Sequence, residues 1–220
     1  MRLLNRARGT TVSLHDRLVW QCASLLLAYP DEHMTERLHT VDELRAPAAG
    51  PATDLLGRTV TALAAVPPMQ AAAEYVETFD LRRRSTMYLT YWTAGDTRNR
   101  GREMHAFTQA YLDAGVRPPA HEAPDYLPVV LEFAATVDPV AGRRLLVEHR
   151  VPIGVLHDGL TERRSPYADT IAAVCATLPA CGEQDERRAH RLAQVGPPTE
   201  SVGLQPFTLT VPPRRSEGGR

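Results

Sequence analysis

Apolar residues recur at helical spacing along most of the chain. Leu14, Leu18, Cys22, Leu25 and Tyr29 fall on one face, behind a Ser13–Asp16 pair that resembles a capping box, and Pro30 ends the element. A short helix is expected from Asp31, with Met34, Leu38 and Val41 inward. The Pro-Ala-Gly stretch Ala46 to Ala52 reads as a loop, and Thr53 as the cap of a helix carrying Leu56, Val60 and Leu63. Pro67-Pro68 restart the chain, and helical spacing then runs from Ala71 to Trp92, with a break near Asp80. Gly95 suits a C′ position, Asp96 an N-cap, and Met104, Phe107 and Tyr111 a buried stripe closed by Gly115. A further apolar face is Leu127, Val130, Leu131 and Ala134. Asp138-Pro139, Val151-Pro152 and Ser165-Pro166 each open another helix, the last burying Ala168, Ile171, Cys175 and Leu178.

No alternation of period two is strong enough for a sheet, so the fold class expected is all-α: a single-domain helical bundle over residues 12–194. Residues 1–11 read as a flexible N-terminus. A polar helix from Glu183 to Gln194 closes the domain, and residues 195–220 read as a Pro/Gly-rich, mostly disordered tail.

Composition narrows the chemistry. All 25 basic residues are arginine, so a Walker-type phosphate loop, a Schiff base and a lysine general base are excluded. Twenty-six acids balance them to a formal charge of -1, which argues against nucleic acid as a partner. The apolar run Ala23 to Ala28 stops at Tyr29-Pro30, far short of the roughly 20 residues a bilayer span needs. Three unpaired cysteines and no secretory leader suit a reduced, cytoplasmic protein. His33, Glu36 and His39 lack the four-residue histidine spacing of a helical zinc site, and Cys175 with Cys181 lacks further ligands, so no metal site is expected.

Glu122, Asp125 and Glu132 are the carboxylates from which a small helical enzyme would have to be built, and no nucleophile or metal motif accompanies them. A different signal lies just upstream. Seven of the chain's 13 aromatic residues fall between 75 and 111: Tyr75, Phe79, Tyr88, Tyr91, Trp92, Phe107 and Tyr111. They share that stretch with six arginines and the acids Glu77, Asp80, Asp96 and Glu103. Adjacent rings such as Tyr91 and Trp92 cannot point the same way on a helix, so part of this set is available to grip a peptide.

The run Tyr75-Val76-Glu77-Thr78-Phe79-Asp80-Leu81-Arg82-Arg83-Arg84-Ser85-Thr86-Met87-Tyr88-Leu89-Thr90, continued by Gly95-Asp96-Thr97-Arg98-Asn99-Arg100-Gly101, resembles the nitrate reductase molybdenum-cofactor assembly chaperones, the delta subunit or NarJ type. Glu122-Ala123-Pro124-Asp125-Tyr126-Leu127-Pro128-Val129-Val130-Leu131-Glu132-Phe133-Ala134-Ala135 resembles the same family's second signature. The resemblance implies an all-helical fold of the TorD-like superfamily and no catalysis. It implies a partner, the alpha (catalytic) subunit of respiratory nitrate reductase, held as apoenzyme and by its N-terminal segment while molybdenum cofactor is inserted and before membrane docking. It also implies contact with cofactor-biosynthesis proteins and no stably bound cofactor in the chaperone itself. Carried over by position, it places Tyr75, Phe79, Asp80, Arg83, Tyr88, Asp96, Arg98, Glu122, Asp125 and Tyr126 in the client-peptide region. The wider superfamily often has histidine where this chain has Tyr126. The competing reading within the superfamily is a chaperone for a dimethyl sulfoxide or trimethylamine oxide reductase.

Overall fold

The computed structural model describes residues 11–82, 85–95 and 98–196, with the backbone alone at residue 98. The all-α expectation holds across them: no strand forms, and the sole extended pairing is an isolated antiparallel bridge between Tyr88 and Tyr126. Of the expected tail, Val195 and Gly196 end the last helix, and the rest, residues 197–220, lies outside the described residues, as do residues 1–10 of the expected N-terminal segment.

Helix α1 (Leu14–Leu26) is the centre of the bundle. It is capped as its sequence predicts, the Ser13 hydroxyl accepting from the Asp16 N–H at 3.0 Å. Around it pack α2 (Met34–Arg45), α3 (Pro51–Ala64), α7 (Leu127–Glu132) with the π-helical turn Phe133–Val137 that prolongs it, and α10 (Tyr167–Ala176). Neighbours on several sides move the buried face away from the single stripe read from the sequence. Val19, Trp20, Cys22, Ala23 and Leu26 are buried, while Leu14 and Tyr29 stand in water. The polar atoms this burial strands find partners: Trp20 Nε1 donates to Thr177 Oγ1 at 2.8 Å, and Ser24 Oγ to the Pro128 carbonyl at 2.8 Å.

Three sequence expectations need correction. Helix α3 starts at Pro51, so Thr53 lies inside it, with its hydroxyl on the Gly50 carbonyl. The helix expected to open at Val151-Pro152, α9 (Arg150–Glu162), begins two residues before Pro152. The predicted helix from Ala71 to Trp92 divides into α4 (Pro68–Tyr75), a π-helical turn Val76–Asp80 and, further on, a short α5 (Tyr91–Ala94). The break near Asp80 is therefore real. Among the described residues no α-helix follows it until Tyr91, and residues 87–89 form backbone bonds with a distant segment instead.

Helix α6 (Arg98–Asp113) packs on α5 and on α8 (Pro139–Glu148), which Asp138 caps through the N–H groups of Val140 and Ala141. Helix α11 (Glu183–Val195) lies on α9 without burying any residue, tethered by the Arg150–Asp185 ion pair. No described helix is long and apolar enough to cross a membrane.

Candidate functional site

The two segments that carry the sequence resemblance, more than thirty residues apart, are joined by backbone hydrogen bonds. Leu89 N–H donates to the Asp125 carbonyl at 3.1 Å and Leu127 N–H to the Met87 carbonyl at 2.9 Å, which sets Tyr88 opposite Tyr126. Below this bridge the Asp125 side chain is wholly buried. Its Oδ2 accepts from Thr90 N–H at 3.0 Å and from the Thr90 hydroxyl at 2.6 Å, with Arg100 Nη2 at 3.8 Å as counter-charge. Its Oδ1 has no hydrogen-bond partner among the described residues. The Arg100 guanidinium lies over the rings of Tyr88 and Tyr91, 5.2 and 5.8 Å from their centroids, so one cation is shared between two aromatic faces and a buried carboxylate.

A chain of phenols ties the bridge to the core. Tyr75 donates its only hydroxyl hydrogen to the Leu27 carbonyl at 2.9 Å, so Tyr126, 2.9 Å from the Tyr75 oxygen, must be the donor of that second bond. Burial raises the pKa of both hydroxyls, that of Tyr126 to about 12, so both remain donors at any physiological pH. Tyr75 also packs edge-on to Tyr29 and Tyr167 and tilted to Phe79. From the other side Tyr111 of α6 donates to the Pro124 carbonyl at 2.6 Å, and Trp92 Nε1 to the Thr86 carbonyl at 3.1 Å.

The ring-rich stretch is thus mostly scaffold. Tyr75, Phe79, Trp92, Phe107 and Tyr111 are buried, and only Tyr88 and Tyr91 are partly open. Of the sequence-derived site residues, the structure brings the rings of Tyr88 and Tyr126 together, 5.2 Å between centroids, with the exposed carboxylates of Asp80 and Glu122 within electrostatic range of both phenols. Burial first, and then the charge of Glu122, pushes the Tyr88 hydroxyl above its ordinary range. Tyr75, Phe79 and Asp125 are buried. Arg83, Asp96 and the Arg98 side chain lie outside the described residues. Sequence reasoning did not single out Thr90 or Arg100, although both stand inside the first motif; their signal was position within a motif, not residue type. No three His, Cys, Asp or Glu side chains gather as metal ligands among the described residues.

Residues 42–187 match the family model of the nitrate reductase delta subunit. The chain belongs to that family. Among its relatives, the nitrate reductase-like protein NarX of Mycobacterium tuberculosis is 62% identical over 166 residues, 76% of this chain. That alignment takes in 25% of NarX, so the chain spans about a quarter of that relative's length. A Bacillus subtilis protein named as a probable nitrate reductase molybdenum cofactor assembly chaperone, NarJ, is 29% identical over 77% of this chain and 92% of its own length. A crystal structure from Archaeoglobus fulgidus, described as a redox enzyme maturation protein, has the same fold at 20% identity, with a TM-score of 0.55 over 80% of this chain and 98% of that one. The Bacillus subtilis relative is named as an assembly chaperone, and the region matched by the family model contains the whole Tyr88–Tyr126 bridge with Asp125, Thr90 and Arg100.

Proposed function

We propose that this chain is an assembly chaperone for respiratory nitrate reductase. It binds the alpha subunit, including its N-terminal segment, and holds it open for molybdenum-cofactor insertion before membrane docking. The cofactor is cargo for the client, and the chaperone performs no turnover. The observation that carries the reading is membership of the delta subunit family across both motifs, and the Bacillus subtilis relative, named for that role, agrees with it.

In this reading the acidic, phenol-lined face takes the client. Asp80 and Glu122 draw a basic segment, Tyr88 and Tyr126 offer hydrogen bonds and ring faces, and Asp125, Tyr75 and Phe79 act as positioning residues from below. A central aromatic anchor is worth about 2 kcal/mol and exposed rim charges much less. Calorimetry with a synthetic peptide of the alpha subunit N-terminus is the direct test. Tyr88→Ala with Glu122→Gln is expected to weaken binding at least tenfold, and unchanged affinity overturns the assignment of this face. A pull-down from nitrate-grown cells should recover the alpha subunit; recovery of a dimethyl sulfoxide or trimethylamine oxide reductase subunit in its place would transfer the same chaperone role to that client.

A further inference from the structure

A different surface lies along α4 and its π-helical turn. In that turn Leu81 N–H bonds the Val76 carbonyl five residues back, at 3.1 Å, which seats Leu81 over Val76 and leaves Phe79 to enter the core. The result is an open groove of about 930 Å³ lined by Tyr29, Met69, Ala72, Ala73, Val76 and Leu81. Three of its large apolar side chains stand far out in water: Met69 is 86% exposed, Leu81 74% and Tyr29 49%. Isolated exposed apolar residues are ordinary, but three in one concave surface mark a place where another molecule removes them from water.

The groove has a charged end. Glu77 and Arg82, paired at 2.6 Å, form its rim and also line an adjoining cleft of about 400 Å³ that reaches Arg163, Arg164 and Ser165 in the α9–α10 turn. Three guanidinium groups there, those of Arg82, Arg163 and Arg164, face two carboxylates, Glu74 and Glu77. Glu77 is neutralised by Arg82, and Glu74 accepts from Gln70 at 2.8 Å. Arg163 and Arg164 make no ion pair among the described residues, and both are exposed. The turn fixes them: Arg164 N–H bonds Thr161, Ser165 N–H bonds Leu160, and Arg164 adopts φ 55°, a conformation that glycine reaches more cheaply. The excess of positive charge is local, since the whole chain carries a formal charge of -1.

We infer that this groove is a second docking surface, for a polypeptide segment with apolar side chains on one face and an acidic residue at the end that meets Arg163 and Arg164. Its polarity is opposite to that of the Asp80–Glu122 face, so it selects a different segment, and it stands whether or not that face receives the client.

Two 14-residue helical peptides with identical leucine faces, one flanked by glutamate and one by lysine, test this by fluorescence anisotropy at low salt. The glutamate peptide is expected to bind at least tenfold more tightly. Arg163→Glu with Arg164→Glu should abolish or reverse that preference while leaving affinity for the alpha subunit N-terminal peptide unchanged, which separates this surface from the Asp80–Glu122 face. Met69→Asp with Leu81→Asp should weaken both leucine peptides at least tenfold. All four positions are exposed, and unchanged melting curves confirm that the variants are folded. Equal affinity for the two peptides, indifference to the Met69 and Leu81 changes, or displacement of the peptide by excess unlabelled chain, which would make the groove a self-association surface, overturns the inference.

Discussion

Burying a carboxylate costs several kcal/mol unless hydrogen bonds and a counter-charge replace its water, and Asp125 has both on one oxygen: two donors from Thr90 and the Arg100 guanidinium. Asp125→Ala strands those donors and leaves Arg100 without its counter-charge. A loss of about 2–4 kcal/mol in urea unfolding is expected, with Asp125→Asn milder because it keeps an acceptor. Weak client binding by Asp125→Ala would therefore report damage beneath the site, whereas Tyr88→Ala probes the surface. His149 gives the fold a pH dependence just below neutrality. Its Nδ1 lies 2.9 Å from the Leu145 carbonyl and its ring packs on Phe107 at 4.8 Å, so burial holds its pKa below the ordinary 6.5. As pH falls below that value the unfolded chain takes up the proton first. The stabilisation is complete above about 6.5 and is lost progressively on acidification. Melting temperatures between pH 8 and 5.5 should fall for the natural chain and fall less for His149→Gln. Burial likewise lifts the thiols of Cys22 and Cys175 to about 12, so a disulfide reagent at pH 8 should titrate one thiol quickly, the exposed Cys181, and the other two only in denaturant.

Between elements, α8 comes very close to the π-helical turn Phe133–Val137 at Gly142. A Cβ added at Gly142 would run into Cα and Cβ of Ala134, and neither a backbone atom nor a first side-chain carbon can swing aside. Gly142→Ala should cost at least about 1–3 kcal/mol by forcing the two apart. In α9, Gly154 has nothing within 4 Å of such a Cβ, and Gly154→Ala should gain roughly 0.5–1 kcal/mol from helix propensity alone. Urea denaturation of the two variants gives shifts of opposite sign if helix packing, and not propensity, decides the first. Helix α11 is loosely attached, with no buried residue and a partly exposed ion pair to α9. In Asp185→Asn the amides of α11 should exchange faster with deuterium while the melting temperature stays within error, because screened surface pairs contribute little to global stability.

At the scale of the molecule, a single apolar cluster runs from Val19 in α1 to Val174 in α10, so calorimetry should record one cooperative transition with matching calorimetric and van't Hoff enthalpies. Local rules placed most helices correctly: Pro139 at the start of α8, the Ser13 and Asp138 caps, and the stripes Met34–Leu38–Val41 and Leu127–Val130–Leu131 read directly, since each depends on residues within a few positions of one another. The motifs were legible as strings, and with them the family. Which of their residues face outward was not. Helical spacing continues past Asp80 in the sequence, but pairing of residues 87–89 with 125–127 supplies backbone hydrogen bonds that a continued helix would have had to make internally. That choice turns Phe79 and Tyr75 into the core and commits Asp125 to Thr90. It leaves Tyr88 open under Arg100, and Leu81 open beside Val76. Local periodicity and capping thus determined the helical class and most element ends from the sequence alone. Whether a motif residue builds a surface or supports one depends on a partner more than thirty positions away, and only tertiary structure decides that.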